Sequence, residues 1–184
     1  MTKRLRLVVL GTHSTGKTSL ARELSSELTI PYVEGDIVKK IVRDKLHKNN
    51  PLELTLAEYW EMERHHYNHQ LTDATTHSDF VSDGGFILDA AYLAVTFKLH
   101  KNPAYSAFAN LCIDKTKELY SHIIYLPIEI SLEDDKFRPK DLAYRSNIDK
   151  FLVKLLNKNK ISYLVARGSI KQRVGQVLDY ISKQ

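Results

Sequence analysis

Along the chain, short continuous apolar runs alternate with longer segments whose apolar positions recur near every 3.6 residues. Leu5 to Leu10 is a short apolar run with adjacent valines, closed by Gly11, which predicts a buried strand. Leu20, Ala21, Leu24 and Leu28 then fall at helical spacing within Thr18 to Leu28. Ile30 to Val33, with Pro31 near its start, predicts a second, shorter strand. Behind it Ile37, Val38, Ile41, Val42 and Leu46 share one helical face. From Pro51, the positions Leu52, Leu56, Tyr59, Trp60, Tyr67 and Leu71 mark a long amphipathic helix. Phe80 to Gly85 reads as a strand running into a glycine turn, followed by helices over Ile87 to Leu99 and about Tyr105 to Tyr120, with Pro103 tolerated near the start of the second. His122 to Leu126 is the next strand, stopped by Pro127. A polar stretch over 129–141 leads into a helix striped by Ile148, Phe151, Leu152, Leu155 and Leu156. Ile161 to Val165 is a fifth strand, and Ser169 caps a final helix through Val174, Val177, Leu178 and Ile181. Strands alternating with helices predict an α/β sandwich around a parallel sheet.

The chain has 184 residues, 43% hydrophobic and 27% charged, which suits one globular domain over 1–184 and argues against disorder. One cysteine, Cys112, leaves no intrachain disulfide and no paired CxxC zinc ribbon. No apolar run is long enough to span a membrane, and the one behind the basic N-terminus is too short for a signal-peptide core, so a cytoplasmic location is expected. The net charge of +5 is uneven: residues 1–92 hold 11 Lys+Arg against 13 Asp+Glu, residues 93–184 hold 16 against 9. The basic half is either a solvated helix face or an attractor of polyanions, nucleotides included.

Gly11-Thr12-His13-Ser14-Thr15-Gly16-Lys17-Thr18 satisfies G-x-x-x-x-G-K-[ST], the Walker A pattern, at every fixed position, between a strand and a helix. Glycines let successive N–H groups turn towards phosphate oxygens, and the helix adds its N-terminal partial charge. Gly11, His13, Ser14, Thr15, Gly16, Lys17, Thr18 and Ser19 are therefore the expected cofactor-binding residues for ATP. Lys17 reaches the β- and γ-phosphates, and Thr18 ligates Mg2+. Asp83, at the carboxyl end of its strand, is either a second Mg2+ or acceptor residue or a turn former before Gly84-Gly85. Asp36 and Glu34 follow the second strand, where Asp36 is a helix cap or one of the two is a general base for an acceptor hydroxyl. Arg138 and Arg145 sit in or beside a polar segment at about 128–146. They are either ordinary surface residues or lid arginines that stabilise charge on the transferring phosphoryl group. His65, His66 and His69 crowd one helix without forming HExxH, so a polar face outweighs a metal role, while Trp60 and Tyr67 are core residues or stacking platforms.

The Walker loop, the Val81-Ser82-Asp83 strand with Leu88-Asp89-Ala90-Ala91-Tyr92 behind it, and Ile124-Tyr125-Leu126-Pro127 with Arg138-Pro139 together resemble the NadR-like AAA ATPase/kinase group. Those P-loop proteins are related to nicotinamide-riboside kinases and, more distantly, to nucleoside and nucleotide kinases. The resemblance runs from residue 5 to about 178 and implies a three-layer P-loop NTPase sandwich with a five-stranded parallel sheet, the Asp83 strand beside the phosphate-loop strand. It also implies a lid carrying Arg138 and Arg145, and an adenine site near Gly168-Ser169. Two departures stand out: Asp83 is followed by Gly84 where many relatives have arginine, and Glu34-Gly35-Asp36-Ile37 lacks the arginine of a Glu-x-x-Arg-like segment.

Three functions compete on these residues. The first is Mg2+- and ATP-dependent phosphoryl transfer to a nucleoside, nucleotide or related small molecule. A nucleoside acceptor would use Asp36, Glu34 or Asp83 as base, and a monophosphate acceptor would use Arg43 and Arg64. The second is a nucleotide-binding ATPase switch regulating a partner. The third is a kinase acting on a nucleic-acid hydroxyl, motivated by the basic C-terminal half. Carboxylates directly after the second strand favour the nucleoside. Oligomeric state is open, a homodimer included.

Overall fold

The computed structural model of the chain describes residues 4–35, 37–99, 101–131 and 141–183. Five strands, β1 (Arg6–Leu10), β2 (Tyr32–Val33), β3 (Phe80–Ser82), β4 (His122–Tyr125) and β5 (Leu164–Val165), form one sheet in the order β2-β3-β1-β4-β5. Among the described residues every strand pairing is parallel, with Leu7 beside Val81 on one side and beside His122 on the other. The strand carrying Asp83 at its end is therefore the immediate neighbour of the phosphate-loop strand.

β1 is buried along its whole length because both sheet faces are covered. Its side chains divide by the strand period. Leu7 and Val9 pack with Leu20, Ala21 and Leu24 of α1 (Lys17–Leu28) and with Val174 and Val177 of α7 (Ile170–Ser182). Val8 and Leu10 belong to the larger opposite core. That core is shared with α3 (Leu56–Thr76), α4 (Phe86–Phe97), α5 (Pro103–Leu119) and α6 (Leu142–Lys158). Helix, sheet and helix make the expected three layers.

Local chemistry sets several boundaries. α3 starts at Leu56 rather than at Pro51, because Thr55 and Glu58 form a reciprocal capping box. Pro51–Glu53 makes a separate tight turn ahead of it. Ser169 and Gln172 form the same box at the start of α7. β2 is shorter than its apolar run: the Ile30 carbonyl accepts from Ser25 Oγ at 2.6 Å and Pro31 has no N–H to give. β5 is also shorter, since the Ile161 amide closes the end of α6 on the Leu156 carbonyl at 3.0 Å. After β2 the chain makes one helical turn, α2 (Val38–Lys40), and then widens into π-type bonding over Ile41–Lys45. Among the described residues no helix is long and apolar enough to cross a membrane.

Candidate functional site

Residues 11–16 connect β1 to α1 as the motif requires. Gly16 stands at the N-terminus of α1 with φ 86°, a left-handed value that glycine adopts without steric cost, and no side chain caps the helix there. The first-turn amides of α1 are thus left for an anion. Lys17 donates from Nζ to the Thr12 carbonyl at 3.1 Å, and Thr15 Oγ1 donates to the same carbonyl at 2.9 Å. The His13 amide donates to the Tyr92 hydroxyl at 3.0 Å, which ties the loop to α4. Ser19 lies exposed on α1, one residue beyond Thr18.

Asp83 meets this loop. Thr18 Oγ1 donates to Asp83 Oδ2, Tyr32 donates its hydroxyl to the same oxygen at 2.9 Å, and the Gly35 amide donates to Oδ1 at 2.8 Å. Burial first, and then the Asp83 charge, push the Tyr32 phenol well up, so it remains a donor. A hydroxyl and a carboxylate, both hard oxygen donors, adjoin the phosphate cradle, a donor set that fits Mg2+. Gly35 is held tightly: a Cβ there would come within 2.7 Å of the Gly84 carbonyl oxygen and 2.8 Å of its nitrogen. Gly35→Ala is expected to destabilise the fold by about 1–3 kcal/mol through overpacking, read as a lowered thermal midpoint.

Arg145 does not point into open space. It is 2% exposed and donates from Nε to the His13 carbonyl at 3.0 Å, from Nη2 to the Ser14 carbonyl at 2.8 Å and from Nη1 to the Ile130 carbonyl at 2.9 Å. Burial lowers its pKa from the ordinary arginine value. Arg173 of α7, which sequence reasoning missed, donates from Nη1 to the Thr15 carbonyl at 2.8 Å and from Nη2 to Glu129 Oε2 at 3.2 Å. Two arginines from different helices thus hold three consecutive carbonyls on the back of the phosphate loop. Glu129 also accepts from Arg167 Nη1 at 2.8 Å and from the Gly168 amide at 2.9 Å. These bonds, the Gly168 amide foremost, hold the Glu129 carboxyl below its usual range and link the Gly168-Ser169 loop to the phosphate loop.

A cavity opens from Lys17 between α3, α4 and α6. Its polar lining includes Glu63, His66, Asp89, Tyr92 and Tyr144, with Met62 and Leu88 among the apolar walls. Glu63, His66 and Asp89 are buried, and Gln70 Nε2 donates to Asp89 Oδ2 at 2.7 Å. Glu63 and His66 share a face of α3 at i, i+3, a spacing that could have flagged them in the sequence. Asp89 and Tyr92 share a face of α4 in the same way.

The remaining expectations divide. Asp36 and Arg138 lie outside the described residues, as does residue range 132–140 of the lid-like segment. Glu34 turns to Lys40 in an ion pair at the surface and is not part of the cavity lining. Arg43 and Arg64 are exposed, and among the described residues no arginine lines the cavity. His65 and His69 face Lys45 and Asp73, so the histidine drawn into the cavity is His66. Trp60 packs edge-on against Phe108 at 5.3 Å and Tyr67 against Phe86 at 5.0 Å, which makes both core residues. Cys112 is buried, and burial raises its thiol pKa well above the ordinary value.

Solved structures share this architecture. Deoxyadenosine kinase from M. mycoides, with dCMP and dCDP bound, superposes with a TM-score of 0.67 at 14% identity, covering 98% of this chain and 100% of that one. Thymidylate kinase from Candida albicans gives 0.70 at 14% identity, covering 98% and 92%. A NadR protein in complex with NR gives 0.68 at 17% identity, covering 97% of this chain and 52% of that one, so this chain spans about half of it. No curated protein matches the sequence. The phosphate loop between β1 and α1, the sheet order and a family model described as an AAA domain, matching residues 6–173, make the chain a P-loop NTPase that belongs to the AAA_28 family.

Proposed function

We propose that the protein is a Mg2+- and ATP-dependent kinase whose acceptor is a hydroxyl-bearing small molecule of nucleoside type. The carrying observation is the cavity beside Lys17, floored by Glu63, His66 and Asp89 and lined by no described arginine. A monophosphate acceptor needs arginines around its phosphate, and no described arginine lines the cavity, whereas its polar side chains suit hydroxyl and amino groups. The solved nucleoside and nucleotide kinases of the same fold support the reaction class.

In this reading the phosphate-loop amides and Lys17 hold the β- and γ-phosphates. Thr18 and Asp83 would hold Mg2+, which when bound would supply positive charge against the phosphoryl oxygens. The acceptor oxygen forms its bond to the γ-phosphorus as the bond to the bridging oxygen of ADP breaks. The hydroxyl proton passes to a carboxylate. Asp83 already accepts three hydrogen bonds, so Asp36, directly after Gly35 in the chain, takes the base role. Arg138 stabilises the transferring group, while Arg145 keeps the loop in shape.

Labelled Mg·ATP offered to nucleosides, nucleoside monophosphates and short DNA tests the reading. Label is expected on a nucleoside-type acceptor. Label confined to monophosphates, to DNA or to free phosphate would overturn it. Asp89→Asn is expected to raise the acceptor KM about tenfold, the scale of one hydrogen bond to a charged group, with the ATP KM unchanged.

A further inference from the structure

We infer that Glu63, His66 and Asp89 form a second metal site, for a divalent transition ion of the Zn2+ class, on the floor of the cavity and separate from the Thr18–Asp83 pair. His66 is the buried imidazole of this cluster. Its side chain is 3% exposed, and Nε2 lies 2.6 Å from the Gly35 carbonyl oxygen. Nε2 also lies 3.1 Å from Gln70 Nε2, but the Gly35 carbonyl is the nearer partner and can only accept, so Nε2 carries the hydrogen and Gln70 spends its donors on Asp89. Nδ1 then faces the cluster. It is fully buried, makes no hydrogen bond of acceptable geometry, and has Asp89 Oδ2 at 3.3 Å.

A neutral imidazole in this tautomer turns a lone pair towards a carboxylate, which is repulsive. A cation between the two nitrogen and oxygen atoms removes the repulsion. The backbone carbonyl on the other ring nitrogen is the arrangement that orients metal-bound histidines. One donor atom from each of Glu63, His66 and Asp89 lies within 4.8 Å of the other two. A tetrahedral ion about 2.1 Å from each ligand holds neighbouring donors about 3.4 Å apart, close to the His66–Asp89 separation of 3.3 Å. Gln70 Nε2 donates to that same Asp89 Oδ2 at 2.7 Å, which fixes the carboxylate and leaves its second lone pair for the ion.

An imidazole with two carboxylates selects a borderline ion over Mg2+, which prefers oxygen ligands throughout. Three protein ligands leave a coordination position, and all three residues line the cavity, so that position belongs to a cavity ligand such as an acceptor oxygen. The site is defined by geometry alone and stands whether or not the kinase reading does.

The test uses the full chain, stripped with chelator, dialysed, and titrated calorimetrically with ZnCl2, followed by metal analysis after desalting. One equivalent is expected in the wild type and in Asp83→Asn, with affinity lowered at least tenfold in His66→Gln and in Glu63→Gln. Co2+ loaded into wild type is expected to show visible d–d absorption that Zn2+ displaces, a readout that needs no variant to fold. Absence of a stoichiometric Zn2+ or Co2+ site in wild type would overturn the inference and leave His66 and Asp89 as a buried polar pair. Equal binding by His66→Gln, or binding lost in Asp83→Asn alone, would also overturn it. Phosphoryl transfer is not part of the readout, so a failed kinase assay and a failed metal titration are separate results.

Discussion

Lys17→Ala is expected to lower phosphoryl transfer at least a hundredfold while leaving the protein folded. Lys17 opens α1, and its ammonium hangs over the phosphate loop, donating to the Thr12 carbonyl at 3.1 Å. That bond keeps the charge at the loop, where the phosphoryl oxygens gather negative charge in the transition state. Removing a preorganised charge of this kind costs a factor of about 10²–10³ in turnover. The fold has little to lose, because Thr15 Oγ1 also donates to the Thr12 carbonyl, at 2.9 Å, and keeps it satisfied in the variant. Steady-state transfer from labelled ATP and a thermal melt, measured on one preparation, check both halves. Wild-type turnover would remove the loop from the chemistry.

Arg145→Ala is expected to act first on stability and ATP binding, and only through them on turnover. Its guanidinium spans the carbonyls of His13, Ser14 and Ile130 with three donors in a buried setting. Deleting it strands carbonyls inside the protein, and hydrogen bonds to charged groups contribute about 1.5–3 kcal/mol each, though not additively. A loss of about 3 kcal/mol corresponds to a melting point lower by about 6–12 °C in a chain of this size. The loop carbonyls also set the direction of the loop amides, so the ATP KM is expected to rise more than kcat falls. Arg145→Lys restores the charge without the planar fork and is expected to recover little. A large fall in kcat at unchanged ATP KM and unchanged melting point would return Arg145 to the role of a transition-state arginine. Melting curves with and without Mg·ATP, beside initial rates, separate the two.

The expectation for Arg145 shows what sequence reasoning could and could not see. Its position beside a charged stretch predicts a lid arginine. Yet Arg145, Ile148 and Leu152 fall at i, i+3 and i+7, so the arginine stands on the apolar stripe of α6. Arg173 stands likewise beside Val174 and Val177 on the stripe of α7. A charged residue on a buried stripe must find fixed partners, and this was the available signal for both. The identity of those partners was not available, because the His13, Ser14 and Thr15 carbonyls lie far off in the chain. Among the histidines, His65, His66 and His69 look equivalent in sequence. The rotation of α3 against α4 sends His66 inward and leaves the other two half-exposed.

The sequence by itself determined the alternation of strands and helices, the two-sided burial of β1 and the phosphate cradle with Thr18 at its end. These depend on patterns within a few residues: a continuous apolar run, a period of 3.6, glycine at Gly16, an uncapped helix start. It also placed Asp83 at a strand end. Tertiary structure decided what no local rule reaches. It brought Asp83 to Thr18 by making β3 the neighbour of β1, turned Arg145 and Arg173 onto the loop carbonyls, and joined Glu63 and His66 of α3 to Asp89 of α4. Side chains on separate elements meet only after the sheet order and helix packing are set, and those follow from burial summed over the whole chain rather than from any one segment.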